Sequence, residues 1–438
     1  MKTSRFASRG RCVGMTMIGL VSAMALIVVA GCRPGSGGLS AVGLVGVDAG
    51  DTHTCAVTEQ RSVRCWGDAS EVAALPARMK SVSAGTGSDC ALSEAGEVYC
   101  WNSGGREGDD ASRRDGGRPV RVASLPLMVG LSASGPRPCG FDMDGAVWCW
   151  GRSAWQRPRA GEVPAEGTPS RLRGVNGAIS IATSAVGHAC AVTRTGDARC
   201  WGAGTDGQLG DGRQADSANP VPVSGLGRAE AIATGRFHTC ALLHAGRVMC
   251  WGRGTEGQLG NGHRVDSNRP VLVVGVDHAI GVAAGGDQAC AILADRTVVC
   301  WGDNLFGVLG NGTPGEPGVA TPSPRLVRGL HDVVSITIGE NNHACALLAR
   351  GRAECWGNNF RGQLGNGSTD EADSPVSVVE KSNCQLHGRV HRSDDIRAER
   401  TPRGLRNESS CAARLNARKQ HLCRFRRDCQ IPLSPKRR

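Results

Sequence analysis

Pairs of cysteines ten residues apart recur seven times along the chain, and no other feature restricts its fold so strongly. The pairs are Cys55/Cys65, Cys90/Cys100, Cys139/Cys149, Cys190/Cys200, Cys240/Cys250, Cys290/Cys300 and Cys345/Cys355. Each second cysteine is followed directly by tryptophan: Trp66, Trp101, Trp150, Trp201, Trp251, Trp301 and Trp356. Successive pairs begin 35, 49, 51, 50, 50 and 55 residues apart. A period in this range marks a repeat architecture, whose units bury their apolar faces only by stacking on neighbours.

Each unit reads as a hairpin. In "CALLHAGRVMC", residues 240–250, two apolar runs flank a polar turn containing Gly246. Glycine recurs at that position at 96, 145, 196 and 351, while Arg61 and Arg296 take its place in two repeats. A turn residue with positive φ accounts for the preference and sets the two cysteines opposite each other. A non-hydrogen-bonded antiparallel pair brings Cα atoms to about 4.5 Å, at the short end of the disulfide range. Disulfides are the expectation; free buried thiols acting as small apolar residues are the alternative. Side chains alternate along a strand, so neighbouring Cys and Trp face opposite ways. The seven tryptophans are therefore expected to pack between units.

Four hairpins are followed by a second element: "GQLGDG" at 207–212, "GQLGNG" at 257–262, "GVLGNG" at 307–312 and "GQLGNG" at 362–367. A strand near a proline comes next, as in "NPVPV" and "RPVLVV", and then an apolar strand into the next hairpin. Four short strands per period is the content of one propeller blade. The run "ATGRFHTCALLHAGRVMCWGRGTEGQLGNG" at 233–262 resembles the regulator of chromosome condensation repeat family. That resemblance covers about 41–379 and implies an all-β, seven-bladed β-propeller, here with one cross-strand cysteine pair per blade. Repeats four to seven match closely. The first lacks the second element, the second has only "GGREGDD" and the third has "GRSAWQRP" there. The cysteine pairs are not part of the general family pattern and look like an adaptation of exported bacterial members. The last Pro-containing strand, Ser374 to Val379, is expected to complete the first blade and so close the ring.

The termini differ from the repeats. Lys2, Arg5, Arg9 and Arg11 precede an apolar run from Val13 to Gly31, the form of an export signal. Its end, "VAGC", resembles the bacterial lipobox, which implies a signal peptide over 1–31 and lipid on Cys32. An uncleaved anchor is the alternative, since 19 residues can just span a bilayer. Residues 32–40 then form a short linker. The tail 380–438 has 16 basic against six acidic residues and irregular cysteines at 384, 411, 423 and 429. Such composition predicts a basic, disordered extension.

Charge and motif exclude several functions. The repeats hold 31 basic and 34 acidic groups, so the net charge of +11 lies in the termini and gives no reason for nucleic-acid binding. Nine residues between paired cysteines do not suit zinc, and His appears two before the first cysteine only at 53, 188, 238 and 343. No metal, cofactor or catalytic residue is expected. "DMDGAVW" at 142–148 lacks the closing Glu of a calcium loop, and no nucleophile elbow, phosphate loop or zincin motif occurs.

The expectation is a monomeric lipoprotein of the bacterial envelope, at the outer membrane or cell surface, whose propeller binds a protein through face loops. In the resembling family the faces bind proteins, a small GTPase in the nucleus or a β-lactamase in a secreted inhibitor. Candidate contact loops are 153–170 and 311–324. The alternative is an envelope hydrolase or lyase acting on polysaccharide or peptide, which needs polar groups converging on the ring's centre or one face.

Overall fold

The computed structural model describes residues 43–379, apart from 70, 71, 73, 103–117, 152–167, 317 and 319. Residues 1–42 and 380–438, with the expected signal, Cys32, linker and tail, lie outside the described residues. So does nearly all of the candidate loop 153–170. No helix among the described residues is long and apolar enough to cross a membrane.

The strands form seven antiparallel sheets, one per cysteine pair. Blade 5 is representative: Ala229–Thr234, His238–Leu243, Val248–Gly252 and Ser267–Leu272 pair in sequence order. The first strands of neighbouring blades touch around the ring, including Leu44–Ala49 of blade 1 against Val333–Ile338 of blade 7. These first strands therefore surround the axis, and the Pro-containing strands form the rim.

All seven cysteine pairs are register partners and are bonded: Cys55–Cys65, Cys90–Cys100, Cys139–Cys149, Cys190–Cys200, Cys240–Cys250, Cys290–Cys300 and Cys345–Cys355. Their Cα atoms lie 4.0–4.1 Å apart, closer than the about 4.5 Å expected of an unbridged pair. Gly246 has φ 71°, and Arg61 and Arg296 adopt 64° and 63° at the same turn position. The hairpin thus requires the left-handed conformation even where glycine is missing.

Two of these cysteines differ from the others in what their outer strands set beside them. Cys200, Cys250 and Cys355 stand opposite Val221, Val271 and Val376 of their outer strands. Cys149 instead stands opposite Ser170, and Cys300 opposite Arg325. The residue that the outer strand sets opposite the second cysteine therefore varies, and in blades 3 and 6 it is polar. Ser170 Oγ donates to Cys149 O at 3.4 Å. Cys149 and Cys300 are nevertheless buried and bonded to Cys139 and Cys290. The hairpin alone sets the pair, and the outer strand is free to vary.

The closure also differs from the sequence expectation. The last strand, Ala372–Ser377, pairs with Ala353–Gly357 of blade 7, with Cys355 opposite Val376. Cys250 and Val271 make the same pairing in blade 5. The strand therefore completes its own sheet, and blade 1 has three strands among the described residues. Among the described residues no strand is shared across the seam. Instead Val47 and Trp66 of blade 1 pack on Cys345, Cys355 and Leu364 of blade 7. Leu44 N–H also donates to Gly351 O, and Ala49 N–H to Thr337 Oγ1.

The degenerate repeats pair less at the rim. The outer strands of blades 2 and 3 shrink to Val120–Arg121 and Ser170–Arg171. The second part of candidate loop 311–324 is no loop. It belongs to the outer strand of blade 6, Ala320–Leu326, with Thr321 opposite Gly302.

Candidate functional site

Three sets of groups carry the chemistry of this ring: the tryptophan seams, a belt of buried polar side chains and a cluster on the axis. In the seams, Trp251 packs on Cys190, Val192, Cys200 and Leu209 of blade 4, while Cys250 packs toward Trp301 of blade 6. Cys149 likewise shares a core with Trp201 of the next blade, and Cys300 with Trp356. The disulfides are thus packing groups of the seams as well as staples, a role that spacing alone did not assign them. Four of the indoles are hydrogen-bonded across their seams, as large aromatic side chains with a polar N–H prefer, while Trp150 Nε1 is buried without a partner among the described residues. Trp251 Nε1 donates to Gln208 O at 2.9 Å, Trp301 to Gln258 O at 3.0 Å and Trp356 to Val308 O at 2.7 Å. Trp66 donates to Gln363 O at 2.9 Å across the closing seam.

This geometry explains the "GQLG" element residue by residue. The Gln carbonyl accepts the next blade's indole, and its side chain caps the turn, as Gln258 Oε1 does with Glu256 N–H. The leucines at 209, 259, 309 and 364 are fully buried. The second glycine lies beneath the indole: a Cβ on Gly260 would meet Trp301 Nε1 at 2.7 Å.

The belt runs through the residues just before the first cysteine of each pair. His188 Nε2 lies 3.1 Å from Thr239 Oγ1 of the next blade, and His343 Nε2 lies 3.0 Å from Thr54 Oγ1. Each threonine hydroxyl gives its one proton to a backbone carbonyl, Gln208 O or Gln363 O. The histidines must then donate from Nε2, which fixes the tautomer. His188 Nδ1 accepts from Ser184 Oγ at 2.8 Å. Burial holds these imidazoles neutral, with His188 and His343 pushed down to about 3 and His238 to about 4. The blade after His238 offers Ala289 where Thr54 and Thr239 stand in blades 1 and 5, and among the described residues neither ring nitrogen of His238 has a hydrogen-bond partner.

Blade 1 varies the belt. His53 Nε2 lies 2.9 Å from Asp89 Oδ1; burial pulls its pKa down, but the hydrogen bond and charge of Asp89 raise it overall. His53, Cys55 and Asp89 have the spacing of a metal group. Cys55 is bonded to Cys65, however, and supplies no thiolate. Two ligands do not hold zinc. Asp48 ties blade 1 to both neighbours, accepting from Thr337 Oγ1 at 2.6 Å and from Ala84 N–H at 2.8 Å. Burial raises its carboxyl to about 6 against those hydrogen bonds.

At the turns between first and second strands, the polar groups depart from seven-fold repetition. Arg236 Nη2 of blade 5 donates to Glu340 O of blade 7 at 2.9 Å, and its Nε lies 3.8 Å from Glu340 Oε2. Ala185 of blade 4 hydrogen-bonds the same carboxyl through its backbone. Groups of non-neighbouring blades meet here, so this cluster lies near the axis. Glu340 is 6% exposed, and burial raises it to about 7 despite Arg236, with Asp51 and Asp287 adding to the rise. Sequence reasoning missed this cluster. The readable signal was one extra residue in blade 7: "GENNH" at 339–343 stands where blade 5 has "GRFH" at 235–238.

These shifts set the pH response of the fold. Imidazoles whose pKa falls on folding give stability that is complete above 6.5 and lost as pH drops toward 3–4. Asp48 and Glu340 are raised, so their contribution is present below about 4 and lost as pH rises through about 6 and 7. At pH 5 the unfolded chain takes up three imidazole protons while the native state holds two on the carboxyls. The net of about one proton predicts maximal stability near neutrality and a loss of roughly 1–2 kcal/mol per pH unit below 6. Denaturant titrations from pH 7 to 4 check it; a flat or rising midpoint on acidification contradicts the assignment.

Comparison with known proteins agrees with this geometry. The family profile described as the regulator of chromosome condensation (RCC1) repeat matches residues 196–242 and 245–292. A second profile of the same description matches 45–71, 178–208, 230–258, 279–308 and 333–363. No curated protein sequence matches the chain. Among solved structures, Prp20p from Saccharomyces cerevisiae, described with its binding to Gsp1p and histones, is 22% identical over 69% of this chain and 77% of its own, with TM-score 0.59. Human WBSCR16 is 21% identical over 73% and 85%, with TM-score 0.60. Yeast RCC1 (Prp20) bound to Kap60 is 21% identical over 69% and 75%, with TM-score 0.58.

Proposed function

We propose that this chain, which belongs to the regulator of chromosome condensation repeat family, is a rigid protein-binding scaffold held at the bacterial cell envelope by lipid on Cys32. One observation carries the reading: many of the buried polar groups that could do chemistry join one blade to another. The tryptophans, the Thr–His belt, Asp48 and the Arg236–Glu340 contact all act across seams or across the axis. Such a ring holds its surface loops in fixed relative positions, the requirement of a preorganised docking surface. Prp20p, a propeller of the same fold, is described as binding Gsp1p and histones. Neither partner transfers to an exported chain, but the mode of use does.

A second reading is favoured by Glu340 alone. A buried carboxyl near neutrality, beside an arginine, is the form of a general acid–base group, and an envelope hydrolase or lyase would use it. Crosslinking in the native envelope separates the two. The scaffold reading expects a protein crosslinked through the face loops, with Glu340→Gln leaving capture intact. Glycan or peptide turnover abolished by Glu340→Gln, with no protein captured, overturns it.

A further inference from the structure

The inner strands carry a feature that the seams and the belt do not use. Every one has a bulge at its second residue, at Val45, Lys80, Val129, Ile179, Glu230, Ile280 and Val334. A bulge adds one unpaired residue and re-aims its side chain. Five of the seven are aliphatic and are 38–52% exposed. Of the other two, Lys80 donates to Val129 O and Glu230 pairs with His244. The aliphatic side chains thus form a collar around one end of the axis, the end that carries the hairpin turns. Leu127 and Met143, on the same end, are more exposed still. The Arg236–Glu340 cluster lies at the opposite end.

The chain enters the propeller at this collar. Leu44–Ala49 is an inner strand, and Val45, its second residue, is a collar member. Cys32 precedes Gly43 by 11 residues, a span of at most about 40 Å fully extended. A lipid on Cys32 therefore keeps the collar end within that distance of the bilayer. We infer that the collar face is the membrane-facing side of the propeller and rests its aliphatic side chains on the lipid surface. The opposite face, with Arg236, Phe237 and Asn341 in its axial turns, is then the one presented to a partner. This inference rests on the lipid anchor of the proposed function and adds to it which face binds.

The full lipidated protein, reconstituted in vesicles of phosphatidylethanolamine and phosphatidylglycerol with a photoactivatable acyl chain, tests the orientation. Irradiation should place adducts on peptides containing Leu127–Val129, Met143, Ile179 and Ile280, about tenfold more than on those containing Arg236 or Asn341. Adducts should persist in high salt, because the contact is apolar and not screened. Ile179→Asp with Ile280→Asp, both at exposed positions, should cut collar labelling about fivefold while the thermal midpoint and the lipid on Cys32 remain. Adducts on the Arg236 face, or none at the collar, in protein whose Cys32 carries lipid overturn the orientation and leave the anchor standing. An unmodified Cys32 overturns the anchor itself, and the orientation with it.

Discussion

Reduction of all seven disulfides should unfold the propeller at room temperature, without denaturant. Each bridge joins residues ten apart in sequence. The chain-entropy model gives about 3 kcal/mol for a loop of this size. Seven such bridges contribute roughly 20 kcal/mol, against a total of about 5–15 kcal/mol for an ordinary domain. Even at half that value per bridge, the reduced chain has little stability left. The sulfurs are also unequal in access. Cys65 and Cys100 are partly exposed, while Cys149, Cys300 and most of the others are buried. Reduction should therefore begin in blades 1 and 2 and then spread as the ring opens. Seven seam tryptophans report the outcome through near-ultraviolet circular dichroism. Loss of that signal as thiols appear is expected; a native signal with fourteen free thiols would show that the seams alone hold the ring.

The second large effect concerns one glycine. Gly260→Ala should destabilise the protein by about 3 kcal/mol, through two costs that a control can separate. Gly260 has φ 66°, and an L side chain in that region costs roughly 1–2 kcal/mol. Its Cβ would also stand 2.7 Å from Trp301 Nε1. Displacing the indole breaks its 3.0 Å bond to Gln258 O, and a buried N–H left without a partner costs about 1–3 kcal/mol. Gly275 has φ 67° but nothing within 4 Å of an added Cβ. Gly275→Ala therefore carries only the backbone cost. Equal losses for the two variants would mean that the indole is not braced by this turn.

Much of this ring was legible in the sequence, because its repeat is a pattern of backbone and packing. The ten-residue spacing set each cysteine opposite its partner, and the adjacent Cys and Trp face different blades as strand alternation requires. The outer strands were less legible: Ser170 beside Cys149 and Arg325 beside Cys300 stand at the rim, where little packing constrains the residue type. The closure was misread because a Pro-containing strand does not itself declare its sheet. Repeats four to six held the answer, since there each hairpin is followed by its own outer strand. What closes the ring is side-chain chemistry between ends some 290 residues apart in sequence, such as Thr54 with His343 and Thr337 with Asp48. No local pattern encodes such pairs. The collar escaped for another reason: the bulge at each inner strand breaks the alternation from which exposure is inferred. The Arg236–Glu340 contact joins blades that are not neighbours, so a repeat-by-repeat reading passes over it.

A propeller stapled once in every blade and used as a fixed surface suits an oxidising compartment. Protein isolated from its native source, alkylated before and after reduction and then weighed, tests that claim most directly. The prediction is that none of the fourteen repeat cysteines is alkylated before reduction and all fourteen are alkylated after it, with non-reduced peptides joining Cys55 to Cys65 and so on through Cys345 to Cys355. Fourteen thiols alkylated without reduction would contradict both the staples and the compartment.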